Sequence, residues 1–252
     1  MERRVKITYY YHSGFSAQVG DTLLLFDYWE GTDRKLAPSL RITPDYLRNF
    51  GQVFVFISHA HPDHLDPVVL TWAKEDLPIT YIVSGDMPIG IVGKRLAPLQ
   101  EKQLTRDVTV KAFQSTDLGV AFLVRAYGLN IFHAGDLNLW HWRQESTLRE
   151  IEEAEAAFYD AMEPLKKESI DVAMFPVDPR QGAMYDAGAN HFIMTEKPRV
   201  FIPMHWQERA EVAVDFARRG KTPQTEVLAL TKPGMEQTVR HKQVRVFLPL
   251  RA

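Results

Sequence analysis

The chain has 252 residues, 45% of them hydrophobic and 25% charged, with a formal net charge of −2. That is enough apolar material for a sizeable core, and no basic surplus points to nucleic acid or an anionic membrane. It contains no cysteine, which excludes disulfides, thiolate ligands and cysteine nucleophiles and leaves His, Asp, Glu, amide and water to hold any metal.

The N-terminal MERRVKITYYYH has basic residues but neither the apolar stretch nor the small-residue cleavage site of an export signal. No run of about 18 apolar residues marks a transmembrane helix. The expectation is a cytoplasmic protein with a small-molecule substrate and no nucleic-acid or membrane partner. Self-association is left open.

In chain order, VKITYYY (5–11), FSAQV (15–19) and TLLLFDY (22–28) read as strands, the last two joined at Gly20-Asp21 as a hairpin. VFVFIS (53–58) is apolar at nearly every position, the pattern of a strand buried on both faces. Asp66-Pro67 opens a helix, with Asp as N-cap and Pro as its first residue, continuing through VVLTWAKED. ITYIVS (79–84) is another buried strand. VTVKAF (108–113), GVAFLVRAY (119–127) and LNIFHAGD (129–136) are three strands in succession, turning near Tyr127-Gly128.

A long helix then places Leu148, Ile151, Phe158, Met162 and Leu165 on one face. Strands DVAMFPV (171–177) and RVFIPM (199–204) follow. The helical EVAVDFARRG ends at Gly220, read as the left-handed residue that closes a helix. EVLAL (226–230) and VRVFLPL (244–250) finish as strands. About twelve strands with four or five helices, in halves that each pass from a meander to strand–helix units, predict an α/β fold. Its two mixed sheets pack face to face with helices outside, a four-layer αββα sandwich forming one domain over residues 1–252.

The chemistry concentrates at strand ends, where α/β sheets bind ligands. His59, His61, Asp63 and His64 fall within six residues after a buried strand, and alternate positions such as His59 and His61 share a face. Imidazole mixed with carboxylate suits Zn, Fe or Mn. Asp136 follows another apolar strand through Ala134-Gly135, and its two oxygens can bridge two ions. His205 ends a third such strand. His133, inside its strand, reads as packed, and His141, between Trp140 and Trp142, as lying near the pocket mouth. In FPVDPRQGAMYDAGANHF (175–192), Asp178, Arg180, Asp186 and His191 are polar residues that can shape a pocket, with Arg180 suited to a phosphate or carboxylate.

The order H-x-H-x-D-H, strand-Gly-Asp, strand-His resembles the metallo-β-lactamase superfamily. YYHSGF followed by LLLFDYW is similar to its branch containing ascorbate-6-phosphate lactonase and N-acylphosphatidylethanolamine phospholipase D. The resemblance implies a metal-dependent hydrolase with one or two divalent ions, zinc first, Mn or Fe as alternatives. It implies that His59 and His61 hold one ion, that Asp63, His64 and His205 hold the other, and that Asp136 bridges them. Asp63 and Asp136 would also serve the catalytic water, in attack on a small ester, lactone or phosphodiester. His12 would lie near the metals and Asp27 would support them.

One position departs from the family. A third histidine is expected for the first ion before the Gly-Asp strand, and Gln114 stands there, with Asp117 beyond it as a candidate carboxylate. Gln114 and Asp117, with His12, Arg180 and His191, are expected to touch substrate or support the ligands. Two other activities share the ligand set, a metal-dependent nuclease and a non-haem iron redox protein. Redox relatives carry an acidic residue where this chain has His61, and nucleases carry an inserted domain or arm. A non-catalytic scaffold has only Gln114 in its favour.

Overall fold

The structure, a computed structural model, describes residues 3–241; the VRVFLPL segment read as a last strand lies outside the described residues. Strands β1 (Arg3–Tyr11), β2 (Gly14–Val19), β3 (Thr22–Phe26), β4 (Gln52–Ile57), β5 (Ile79–Ser84) and β6 (Lys94–Leu96) occupy the first part of the chain. They are followed by β7 (Glu101–Thr105), β8 (Val108–Gln114), β9 (Val120–Ala126), β10 (Leu129–His133), β11 (Val172–Pro176), β12 (Val200–Met204), β13 (Glu226–Val227) and β14 (Glu236–His241). These form two 7-stranded sheets, ordered β14-β1-β2-β3-β4-β5-β6 and β13-β12-β11-β10-β9-β8-β7.

Each sheet passes from an antiparallel meander to parallel strands. In the first the change comes at β3 and in the second at β10. Parallel neighbours need crossovers, which the helices supply. Helices α1 (Pro44–Leu47) and α2 (Pro67–Thr71) cover the first sheet; α3 (Leu148–Met162), α4 (Ala187–Glu196) and α5 (Ala210–Arg219) cover the second. The expected αββα sandwich of two mixed sheets is the observed fold.

Period-two alternation sorts the fully apolar strands between two layers. Leu24, Phe26, Phe54 and Phe56 face the space between the sheets, where Phe56 meets Phe122 at 5.5 Å. Their neighbours Leu23, Leu25, Val53, Val55 and Ile57 face Leu47, Val69 and Trp72 under the helices. Each such side chain contributes about 1.5–3 kcal/mol on burial. On the other side, Phe192 of α4 packs on Phe132 and Phe175 at 5.3 and 4.7 Å, and Phe216 of α5 on Phe201 at 5.5 Å.

The structure corrects several boundaries. The helix opened by Asp66 is short, giving way to a 3-10 turn at Trp72–Lys74, as a run of Val68, Val69, Thr71 and Trp72 with modest helix propensity allows. Gly220 is right-handed, at φ −78°; a Cβ there would meet the Phe216 ring at 3.0 Å, so close packing accounts for it. Strands β6, β7 and β14 were not anticipated, because they are short or charged edge strands without an apolar run. Helix α4 was hidden inside a segment read as a pocket loop, where Gly188 and Asn190 dilute the helical pattern of Ala189, Phe192, Ile193 and Glu196. Among the described residues, no helix is long and apolar enough to cross a membrane.

Candidate metal centre

Parallel strands β4, β10, β11 and β12 all deliver their carboxyl ends to one end of the sandwich. The chain turns there at once. His12, Asp27 and His205 have φ of 52°, 40° and 61°, left-handed conformations that cost non-glycine residues about 1–3 kcal/mol each. All three are the first residue past a strand; the turns aim His12 and His205 into one cluster and set Asp27 behind His64.

Asp136 is in that cluster. Its Oδ1 lies 3.0 Å from His64 Nε2 and 3.3 Å from His205 Nε2, while its Oδ2 lies 3.4 Å from His59 Nε2. His12 Nε2 is 3.2 Å from Asp63 Oδ2, and the His12 and His205 rings are 4.1 Å apart. His59 Nε2 and His61 Nδ1 are 3.0 Å apart. The donors fall into three overlapping groups: His12, Asp63, His64 and His205; His59, His64 and Asp136; and His61, Asp117 and Asp136, with ligand atoms within 4.8 Å of one another in each.

Four atoms decide whether a cation fits. His12 Nε2, His64 Nε2, His205 Nε2 and Asp136 Oδ1 are buried and have no hydrogen-bond partner among the described residues. They approach one another closely, yet their angles form no hydrogen bonds. Leaving one such group unpaired costs about 1–3 kcal/mol. Imidazole nitrogens and a carboxylate oxygen converging in this way are the donor set of a divalent cation of the Zn, Fe or Mn type. The residues present fit the group.

The ligand side chains are held from behind. Asp27, fully buried, accepts from the Ser58 amide at 2.8 Å and the Ser58 hydroxyl at 2.6 Å, and pairs with His64 Nδ1 at 2.8 Å. Ser58 in turn contacts His59 Nδ1 at 2.8 Å. Asp178 pairs with His205 Nδ1 at 2.8 Å and is itself gripped by the Arg180 guanidinium. When Nδ1 donates to a fixed acceptor, the Nε2 lone pair of the same ring is left facing the centre. His133 bonds the Ser13 carbonyl at 2.8 Å, accepts from the Gly135 amide at 3.1 Å and stacks on Phe26. It is packed, as expected, and braces the turn that carries Asp136.

The electrostatics follow from this crowding. Burial opposes ionisation of Asp136, but His64 and His205 outweigh it and hold the carboxyl well below the ordinary range. The same holds for Asp63, where His12 and His64 offset burial. His64 and His205 are raised against the effect of burial by Asp136 and by the acids behind them. Burial, reinforced by His205, pushes His12 down to about 4.

The structure therefore brings together His12, His59, His61, Asp63, His64, Asp117, Asp136 and His205. Gln114 is exposed, its amide donating to the Ser115 carbonyl, and joins none of the groups. Arg180 is half-exposed at the rim, occupied with Asp178. His191 is a correction. It sits on α4 with its ring against Phe158 and Tyr159, at 5.6 and 5.0 Å, away from the cluster; the segment read as a loop is helical, and the helix turns this ring toward α3. His141 is buried, with neither ring nitrogen bonded among the described residues.

Sequence reasoning missed the role of Asp178 behind His205, of Ser58 behind His59, and of Trp140. The Trp140 indole donates to the Asp136 carbonyl at 2.7 Å and its ring lies 5.6 Å from His205. Only the placement of Asp178 was open to inference: β11 and β12 both read as buried strands, and residues just past parallel neighbours are adjacent.

Comparison with known proteins places these features in context. The model of the family described as "Beta-lactamase superfamily domain" matches residues 6–205. A protein of Opitutus terrae named "UPF0173 metal-dependent hydrolase" is 27% identical over 234 residues, covering 84% of this chain and 88% of that one. A protein of the same name from Ignicoccus hospitalis is 26% identical over 228 residues, covering 84% and 86%. Among solved structures, Igni18, described as a novel metallo hydrolase from Ignicoccus hospitalis, superposes with a TM-score of 0.69 at 19% identity, over 95% of this chain and 100% of that one.

Proposed function

The chain belongs to the beta-lactamase superfamily, and from that membership we propose a metal-dependent hydrolase acting on a small ester, lactone or phosphodiester-type substrate. The observation that carries the reading is the position of Asp136, buried between two histidine sets with one oxygen toward His64 and His205 and the other toward His59. In this reading His59 and His61 would hold one ion and Asp63, His64 and His205 the other, with Asp136 offering an oxygen to each side. The imidazole-rich donor set suits zinc, with Mn or Fe as alternatives.

When bound, such ions lower the pKa of water from 15.7 to about 7 and polarise a carbonyl or phosphoryl oxygen. The chain's own residues do the rest. Asp63, about one-third exposed and ionised at neutral pH, is placed to orient the attacking water, take its proton and return it to the leaving group. His12 is neutral at that pH and buttresses Asp63 from the closed side. Trp140, stacked on Trp142, sets its ring 5.6 Å from that of His205 at one side of the site. Arg180 at the rim offers a guanidinium edge to an anionic substrate.

By motif we read the chain as resembling the branch that contains ascorbate-6-phosphate lactonase. We place it in the cytoplasm, with a small molecule rather than nucleic acid or membrane as its target. The test is turnover of a panel of lactones, esters and phosphodiesters by metal-loaded and chelator-stripped protein, alongside Asp136→Ala. Metal-dependent turnover that the variant loses supports the reading. Full activity in the stripped protein or in the variant sinks it.

A further inference from the structure

We infer that Asp117 is a protein ligand of the first ion, standing in for the histidine that position 114 lacks, so that the two ions occupy half-sites of unequal exposure. This rests on the metal-dependent reading above and names the residue that completes it.

The first observation is placement. The Asp117 carboxylate lies with His61 and Asp136, ligand atoms within 4.8 Å of one another, and Asp136 Oδ2 lies 3.4 Å from His59 Nε2, the other imidazole of that half-site. Gln114 turns its amide to the neighbouring Ser115 carbonyl instead. Asp117 itself makes no side-chain hydrogen bond or ion pair among the described residues; only its amide is engaged, with Ser115 Oγ at 3.3 Å.

The second observation is that the loop carrying Asp117 is clamped to both ligand turns. On one side the Thr116 hydroxyl donates to the Asn138 carbonyl and accepts from the Asn138 amide at 2.9 Å, two residues beyond Asp136. On the other, the Val120 amide donates to the Ser58 carbonyl at 3.2 Å, and the Gly119 amide donates to Asp86 at 3.0 Å. Gly119 presses so closely on the His59 turn that a Cβ there would lie 1.9 Å from the Ser58 carbonyl and 2.7 Å from His59 Cβ. An exposed aspartate on a free loop would be a solvated charge. This one is fixed between the two turns that supply the other ligands.

The half-sites then differ in exposure. One has the imidazoles of His64 and His205, fixed by the buried Asp27 and Asp178, with the carboxylates of Asp63 and Asp136 and the buried His12 against Asp63. The other has His59 and His61 with the carboxylates of Asp117 and Asp136, and its His61 and Asp117 reach solvent. Each set mixes two imidazoles with two carboxylates and so accepts Zn²⁺ or Mn²⁺, the buried one holding its ion more tightly and the open one exchanging it faster.

The experiment is calorimetric titration of the chelator-stripped full chain with Zn²⁺ and with Mn²⁺, bound metal counted by elemental analysis and Mn²⁺ followed by electron paramagnetic resonance. Wild type is expected to bind two ions in a tight and a weak step. Asp117→Asn should weaken the weak step at least about tenfold and leave the tight step in place. Asp117→His should restore the weak step with its preference moved toward Zn²⁺, which also shows that the loop still folds. Gln114→Ala should match wild type. A weak step unaltered in Asp117→Asn, or a wild type that binds one ion only, overturns the inference while the hydrolase reading stands. A wild type that binds no stoichiometric ion overturns both.

Discussion

Replacing Asp178 by asparagine keeps an acceptor 2.8 Å from His205 Nδ1 and removes only the charge. In the folded chain burial opposes that charge, but His205 and Arg180 outweigh it and hold the carboxyl from 3.8 down to about 2. At 1.36 kcal/mol per pH unit this is worth about 2.5 kcal/mol. Part of it belongs to Arg180, whose side chain is 54% exposed and therefore screened. Asp178→Asn should thus cost the metal-free chain about 1–2 kcal/mol at pH 6, read by urea denaturation. Because the folded value is depressed, the contribution is present above 3.8 and lost as pH falls through about 2, so the gap between wild type and variant should shrink by roughly half at pH 3. The variant should also bind metal about 10–100-fold more weakly, as when a histidine ligand loses the acid that orients it. Equal metal affinity in the two proteins, or a gap that widens on acidification, would refute this account of His205.

Gly119→Ala should destabilise by at least about 2 kcal/mol, since it combines a positive φ of 75° with a Cβ 1.9 Å from the Ser58 carbonyl; a melt within 1 °C of wild type would contradict the clamped loop. Metal binding should release protons, because His64 and His205 are raised in the metal-free chain and must lose a proton before Nε2 and Nδ1 can serve together. Affinity should therefore rise from pH 5 to 8, and calorimetry in buffers of different ionisation enthalpy should show the release; a flat profile would argue against these two ligands. Saturating metal at about 1,000 times its Kd should add about 4 kcal/mol of stability, removed by chelator.

The central apolar strands and the cluster His59, His61, Asp63 and His64 were legible because both signals are local: a hydrophobic run, then donors at fixed spacing. Asp136 and His205 were legible for the same reason, each following a buried strand, and so was the four-layer sandwich. What sequence could not give is which strand ends become neighbours. Asp27 reaches Ser58 and His64 only because parallel strands bring distant positions side by side. Local pattern placed His191 in a pocket; α4 turned it against Phe158. The family resemblance marked Gln114 as the position where a histidine was expected. It also offered Asp117 as a candidate carboxylate; tertiary packing decided where that carboxylate lies, because the Thr116–Asn138 bonds and the close seat of Gly119 hold the loop beside His61 and Asp136.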